Sequence, residues 1–198
     1  MPKISIVTPV HDFPEKDKFL KRLNASILDQ TFKNWEHIIT EDGKMAENTN
    51  AGIKKATGDI VKIIYVDDFF HSPDALQHIA DEFQGGWMAS GCVHTEDGEN
   101  FYNAHYPTWD DDMAIGKNTI GSPSVIAFEN DNPLLFDESL SFMLDCELYV
   151  RLYERYGEPT YLPYLDIAMG IGDHQMTNIM SLEEKYREAQ YVVNKHRL

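Results

Sequence analysis

Residues 60–70 read IVKIIYVDDFF, a run of β-branched and aromatic side chains with two adjacent carboxylates near its end. The apolar part is typical of a strand that is buried on both faces. Asp67 and Asp68 then stand at its carboxyl end, and ligands of open α/β sheets bind beyond the carboxyl ends of the strands. Two carboxylates at that edge suit a hard divalent cation that bridges to a phosphate. The structural alternative is that the pair only begins a turn or caps the next helix.

A strand followed by a helix recurs three times in the first half of the chain. Apolar stretches at residues 3–10 and 35–40 precede residues 60–70, and each is followed by apolar side chains at helical spacing. This alternation predicts a parallel sheet with right-handed crossovers. The second half is less regular, with a polar, aromatic-rich segment at 96–118, a strand at 123–128, a helix at 143–156 and two short strands near 160–163 and 167–170. The segment at 96–118 indicates either a binding loop or an ordinary surface hairpin.

The composition is that of an acidic globular protein. Lys and Arg number 17 against 33 Asp and Glu, which gives a net charge of −16. This charge argues against nucleic acid and an anionic membrane surface as partners, although a bound cation can invert the local sign. The chain shows neither a transmembrane run nor a signal-peptide pattern, and Cys92 and Cys146 are expected to be reduced core residues. We therefore expect a cytoplasmic protein without membrane insertion, whose last helix, at 181–195, is charged and mostly solvated.

Eight short segments, taken together and in order, carry a family resemblance. They are ISIVTPV (4–10), SILDQTF (26–32), WE (35–36), EDGK (41–44), NAGI (50–53), ATGDI (56–60), VDD (66–68) and LDCELYVR (144–151). This ordered set resembles the family 2 glycosyltransferases of the GT-A fold. The chain departs from the family at two points: Phe69 stands in place of a third acid of the metal motif, and the segment between Asp42 and Asn50 is short.

The resemblance implies a fold and an activity. The fold would be a single GT-A domain, a Rossmann-like three-layer α/β/α sandwich with a mostly parallel mixed central sheet. Residues 1–90 would bind the nucleotide sugar, and residues 91–198 would bind the acceptor and supply the catalytic base. The activity would be inverting transfer of a sugar from a nucleotide-diphosphate sugar, with UDP expected as the nucleotide, to a hydroxyl of a glycan or small molecule.

The chemistry of such a transfer needs a cation and a base. Asp67 and Asp68 would hold Mn²⁺ or Mg²⁺, since oxygen ligands suit these ions and the departing diphosphate gains charge. Asp145 would accept the proton of the attacking hydroxyl. Asp145 also falls at a helix start, where the dipole lowers the pKa of a carboxyl group. The structural alternative for Asp145 is a plain helix cap.

Four further residues complete the predicted donor site. By the same resemblance, Asp42 would accept the imide hydrogen of a uracil, with a turn residue as its structural alternative. Thr8 and Pro9, at the tip of the first strand, would line the base pocket, and Asp67 would also contact the nucleotide. His174 would reach the metal or the diphosphate, although a lone histidine is more often a hydrogen-bonded surface group.

Two other functions remain open at this point. A nucleotidyltransferase would also use an α/β sheet with acidic metal ligands, but residues 11–14, HDFP, are neither glycine-rich nor basic as its phosphate loop requires. A catalytically inactive nucleotide-sugar-binding module is the other alternative, and the substitution of Phe69 for an acid favours it.

Overall fold

Within residues 1–41, 43–173 and 175–196, which this computed structural model describes, eight strands form one sheet. The strands are β1 (Ile4–Pro9), β2 (Trp35–Thr40), β3 (Ile60–Ile63), β4 (Phe69–Phe70), β5 (Trp87–Thr95), β6 (Tyr102–His105), β7 (Ile126–Glu129) and β8 (Thr160–Gly170). Their order is β2-β1-β3-β7-β5-β8-β4, and β6 pairs with β5. The parallel pairs β1–β2, β1–β3 and β5–β8 contain most of the paired residues. The predicted α/β fold with a mixed, mostly parallel central sheet is therefore confirmed.

The described residues contain six α-helices. They are α1 (Lys16–Leu28), α2 (Met45–Lys55), α3 (Ala75–Glu82), α4 (Leu144–Tyr156), α5 (Met176–Ile179) and α6 (Leu182–His196). Helix α2 lies against β1 and β2, and α3 lies against β8. None of these helices combines the length and the apolar character that a bilayer-spanning helix needs.

The centre of the sheet contains a buried lysine. Strand β3 is buried along its whole length, including Lys62. The ammonium group of Lys62 donates to the backbone carbonyls of Ser124 and Ile126, the latter at 3.2 Å. Burial disfavours the charged form and lowers the pKa of Lys62 to about 7, against the opposing charges of Asp166 and Asp68.

Three boundaries differ from the sequence-based prediction. Strand β3 ends at Ile63, so Asp67 lies in the turn between β3 and β4 and not at the tip of a continuous strand. Residues 123–125, predicted as strand, form a 3₁₀ helix, because Ser122 caps a turn that begins with a proline. The two short strands predicted near 160–163 and 167–170 are the single strand β8, which follows β5 through an irregular register.

The strand directions gather the loops of interest at one edge. Strands β1, β2 and β3 are parallel, and β7 runs antiparallel to β3, so β7 begins beside the end of β3. Strand β5 runs antiparallel to β7, and β8 runs parallel to β5. The carboxyl ends of five strands and the residues just before β7 therefore share one edge of the sheet. In an α/β sheet this is the edge where a ligand site is expected.

Candidate active site

Asp68 is held between the end of β8 and the residues that precede β7. Its side chain is almost fully buried, with 3% of the residue exposed. One carboxyl oxygen accepts the backbone N–H of Gly170 at 2.8 Å, and the other accepts the hydroxyl of Ser122 at 3.3 Å. Burial and the neighbouring charge of Asp67 raise the pKa of Asp68 to about 7, although these hydrogen bonds oppose the shift. A cation at this place would offset the electrostatic repulsion between the carboxylates of Asp67 and Asp68.

Asp67 is partly exposed, and a cation from α1 lies beside it. The guanidinium of Arg22 donates to the backbone carbonyl of Asp67 at 2.6 Å and lies over the ring of Phe69, 4.4 Å from its centroid. Burial lowers the pKa of Arg22, and the charges of Asp68 and Asp67 oppose this change. No sequence pattern points to Arg22, because it stands 45 residues before Asp67 and the contact forms only on folding.

Asp145 is the second residue of α4, whose cap position is Met143, so Asp145 is not a plain cap. One carboxyl oxygen accepts the side-chain amide of Asn118 at 2.8 Å, and the other accepts the backbone N–H of Cys146 at 2.7 Å. Burial raises the pKa of Asp145 to about 6 despite these hydrogen bonds. The expectation of a lowered pKa at the helix start is therefore wrong, because desolvation outweighs the donors of the first turn.

One turn, residues 118–122, contacts both Asp145 and Asp68. The amide of Asn118 donates to Asp145 and also to the carbonyl of Gly121, at 3.0 Å. Ser122, the next residue after Gly121, donates to Asp68. The buried hydroxyl of Tyr65 lies within the electrostatic influence of both acids. Its pKa is raised well above the usual value, first by burial and then by the charges of Asp145 and Asp68. The two predicted acids therefore lie on the same side of the molecule.

The other predicted donor-site residues fall in different places. Thr8 and Pro9 are buried at the end of β1, and the hydroxyl of Thr8 bonds the ring of His37 on β2 at 3.0 Å. Burial lowers the pKa of His37 to about 4, so its ring is neutral near pH 7. Asp42 and His174 lie outside the described residues.

Metal binding at this site has to be tested against the donors that are present. Within residues 1–41, 43–173 and 175–196, no group of three or more His, Cys, Asp or Glu side chains could hold an ion. Asp67 and Asp68 nevertheless fit a cation that also binds the substrate, since Mg²⁺ is commonly held by one or two carboxylates and phosphate oxygens. The observation that favours this fit is the donor set: two carboxyl groups, of which Asp67 is partly exposed, follow β3 at the edge of the sheet where a ligand is expected.

Glu147 forms a structural ion pair. It is fully buried, and its carboxylate accepts the Nε of Arg151 at 2.8 Å and binds the ammonium of Lys195 at 2.7 Å. Glu147 therefore pairs with Arg151, one turn further along α4, and with the C-terminal end of α6.

Comparison with known proteins adds fold information. No family model and no curated protein sequence matches the chain. S. aureus TarS 1–349 in complex with UDP-GlcNAc superposes with a TM-score of 0.73 at 14% identity, over 98% of this chain and 66% of that chain. The same TarS fragment with UDP gives 0.66 at 15% identity, over 98% and 71%. The mannosyltransferase PcManGT from Pyrobaculum calidifontis, with GDP-Man and Mn²⁺, gives 0.61 at 12% identity, over 87% and 58%.

The chain has a GT-A fold. At identities this low, the likeness establishes the fold alone. The chain spans 43% of the length of a longer TarS chain.

Proposed function

We propose that this GT-A domain is an inverting glycosyltransferase that moves a sugar from a nucleotide-diphosphate sugar to a hydroxyl acceptor. The observation that carries the proposal is the turn at 118–122, which contacts both Asp145 and Asp68 at the ligand-binding edge of the sheet. A base and a candidate cation site that share one turn match the two chemical needs of the reaction.

The proposed donor is a UDP sugar, bound by residues 1–90. The proteins with the same fold carry UDP, UDP-GlcNAc or GDP-Man, which supports a nucleotide-diphosphate sugar in general. Asp42, Thr8 and Pro9 would surround the base, as the family resemblance implies. Arg22 adds a fixed positive charge beside Asp67, where a diphosphate would lie.

The proposed metal is Mn²⁺ or Mg²⁺, held by Asp67 and Asp68, with His174 as a further candidate. When bound, such an ion offsets the negative charge that develops on the departing diphosphate. Asp68 is kept in place for this role by Gly170 and Ser122, which leave its carboxylate little freedom to rotate.

Asp145 would act as the general base. An acceptor hydroxyl attacks the anomeric carbon, the bond from that carbon to the diphosphate oxygen breaks, and the hydroxyl proton passes to Asp145. Asn118 and the N–H of Cys146 hold the carboxylate in one orientation. A pKa of about 6 leaves Asp145 mostly ionised at pH 7 and more basic than an ordinary aspartate. Residues 91–198 would bind the acceptor, a glycan or a small molecule.

The test combines thermal shift with turnover. UDP and UDP sugars are added to the wild type, Asp145→Asn, Asp68→Asn and the control Asp81→Asn, with and without Mn²⁺. At ligand concentrations about 100 times the dissociation constant, the added stability is about 2.7 kcal/mol. We expect Asp145→Asn to keep the shift but lose turnover by roughly 10²- to 10⁴-fold. We expect Asp68→Asn to lose the Mn²⁺-dependent part of the shift.

Distinct outcomes would contradict distinct parts of the proposal. Full turnover by Asp145→Asn would remove Asp145 as the base. A nucleotide shift that Mn²⁺ does not change in the wild type would count against the metal site. A wild type that binds UDP sugars, but neither hydrolyses nor transfers them, would favour the inactive binding module.

A further inference from the structure

A concave groove lies beside the C-terminal part of α4. It has a volume of about 710 Å³ and is lined by residues 108–112 together with Tyr153, Glu158 and Tyr161. We name it the aromatic groove. Its size falls within the range of small-ligand sites, and its lining combines aromatic rings with a larger number of polar side chains.

Stacked aromatic rings form one wall of the aromatic groove. The indole of Trp109 lies on the ring of Tyr153, with centroids 4.0 Å apart and planes inclined by 10°. The indole N–H donates to Asp111 at 3.1 Å, so the orientation of the ring is fixed at two points. Tyr161, at the start of β8, adds a third ring. Rigid aromatic faces of this kind offer contact area at low conformational cost.

Carboxylates supply the polar part of the aromatic groove. Lys117 neutralises Asp110 at 2.6 Å, and its ammonium also lies 4.0 Å from Asp112. Glu158 is exposed, and burial together with the charge of Glu158 raises the pKa of Tyr161. Carboxylates accept hydrogen bonds and cannot donate them when ionised, so they suit a ligand rich in hydroxyl groups.

Hydrogen bonds of residues 118 and 119 connect Thr108, in the lining of the aromatic groove, with Asp145. Thr108 exchanges two hydrogen bonds with Thr119, at 3.1 and 2.6 Å. Thr119 follows Asn118, whose side chain binds Asp145. Tyr153 is eight residues beyond Asp145 on α4, which corresponds to about 12 Å along the helix axis. One side of the groove is therefore joined to the proposed base through residues 118 and 119, while Tyr153 lies about 12 Å further along the axis of α4.

We infer that the aromatic groove binds the sugar rings of a neutral oligosaccharide acceptor, with its reacting hydroxyl directed toward Asp145. This inference rests on the proposed function and names the acceptor class for the same reaction. Trp109 would stack on a ring of the acceptor, while Asp112 and Glu158 would accept hydrogen bonds from its hydroxyl groups.

The experiment measures binding to a printed array of neutral glycans and then to a length series of the best binder. The variants are Trp109→Ala, its conservative partner Trp109→Phe, and Glu158→Lys. The control is Tyr186→Ala, which removes another exposed aromatic ring, on α6. Glu158→Lys changes an exposed side chain and keeps the test valid should Trp109→Ala fail to fold. The UDP-induced thermal shift of every variant is recorded in parallel.

For the wild type and the control, we expect affinity to rise with acceptor length up to about three sugar units. Trp109→Ala and Glu158→Lys should lose roughly tenfold or more in affinity, and Trp109→Phe should restore part of it. Their UDP-induced shifts should equal that of the wild type. Binding should change little between about 50 and about 500 mM salt, because the ligand is uncharged.

Three results would overturn the inference. The first is that Trp109→Ala and Glu158→Lys bind glycans with the affinity of the wild type. The second is that the wild type binds no neutral glycan. The third is that it binds only cationic ligands, with an affinity that falls steeply as the salt concentration rises. Absence of a UDP-induced thermal shift in the wild type is a separate result. It would contradict the proposed donor site, while the glycan measurement would still test whether the aromatic groove binds an acceptor.

Discussion

Gly170 is the residue whose size controls the candidate metal site. A Cβ atom at this position would overlap the backbone carbonyl oxygen of Asp67. The N–H of Gly170 also donates to Asp68. The absence of a side chain at Gly170 therefore allows β8 to approach the turn that contains both acids. Glycine is required here by the close contact and not by its backbone angles.

Gly170→Ala should displace the turn that contains Asp67 and Asp68. We expect Mn²⁺-dependent UDP binding to weaken by roughly tenfold or more, since a shift of about 1 Å is costly in a preorganised site. Isothermal titration with UDP, with and without Mn²⁺, measures this change. Thr160→Ala, at the exposed opposite end of β8, should bind like the wild type. Unchanged affinity in Gly170→Ala would show that the close contact is unimportant.

Among the secondary-structure elements, α6 contacts the residues that lead into α4. The carboxylate of Glu188 on α6 accepts the backbone N–H groups of Ser141, Phe142 and Met143, at 3.0, 2.8 and 2.9 Å. These residues lead directly into the turn with Asp145. The charged C-terminal helix, predicted to be mostly solvated, therefore supports the element that presents the proposed base.

Glu188→Ala should loosen the start of α4. Loss of these charged hydrogen bonds should lower the free energy of unfolding by about 1–3 kcal/mol. Hydrogen exchange should become faster at residues 141–143, and kcat should fall more than UDP affinity because Asp145 loses its fixed position. Glu183→Ala, an exposed acid on the same helix, is the matched control. Equal exchange rates in Glu188→Ala and the control would refute the role of this contact.

For the whole molecule, buried charges predict an unusual dependence of stability on pH. The pKa values of Asp68 and Asp145 are raised to about 7 and about 6, from an ordinary value near 4. The folded state therefore binds more protons than the unfolded state between these values, and stability falls as pH rises from about 4 to about 7. The pKa of Lys62 is lowered to about 7, so the unfolded state binds more protons than the folded state above that pH. This difference makes the free energy of unfolding rise again above pH 7.

We expect the melting temperature to be highest near pH 5. At lower pH, stability falls because Glu36 has to be protonated. Burial raises the pKa of Glu36, but hydrogen bonds from Ser5, Thr57 and Lys3 outweigh burial and lower the pKa to about 2. The stabilisation by ionised Glu36 is therefore lost as the pH falls toward 2. Thermal denaturation from pH 3 to pH 9 measures the curve. Asp145→Asn should flatten the decline between about pH 4 and about pH 7. A wild-type maximum at pH 7 or above would contradict this account.

The alternation of strands and helices and the negative net charge follow from the sequence alone, because apolar periodicity and composition can be read without the fold. Short motifs also selected Asp67, Asp68 and Asp145 as candidates. Asn118, Ser122, Gly170 and Arg22 were found only in the tertiary structure, since each contacts an acid far away in the chain. Only the folded structure decided that the pKa of Asp145 is raised, because burial depends on residues that no local pattern brings together.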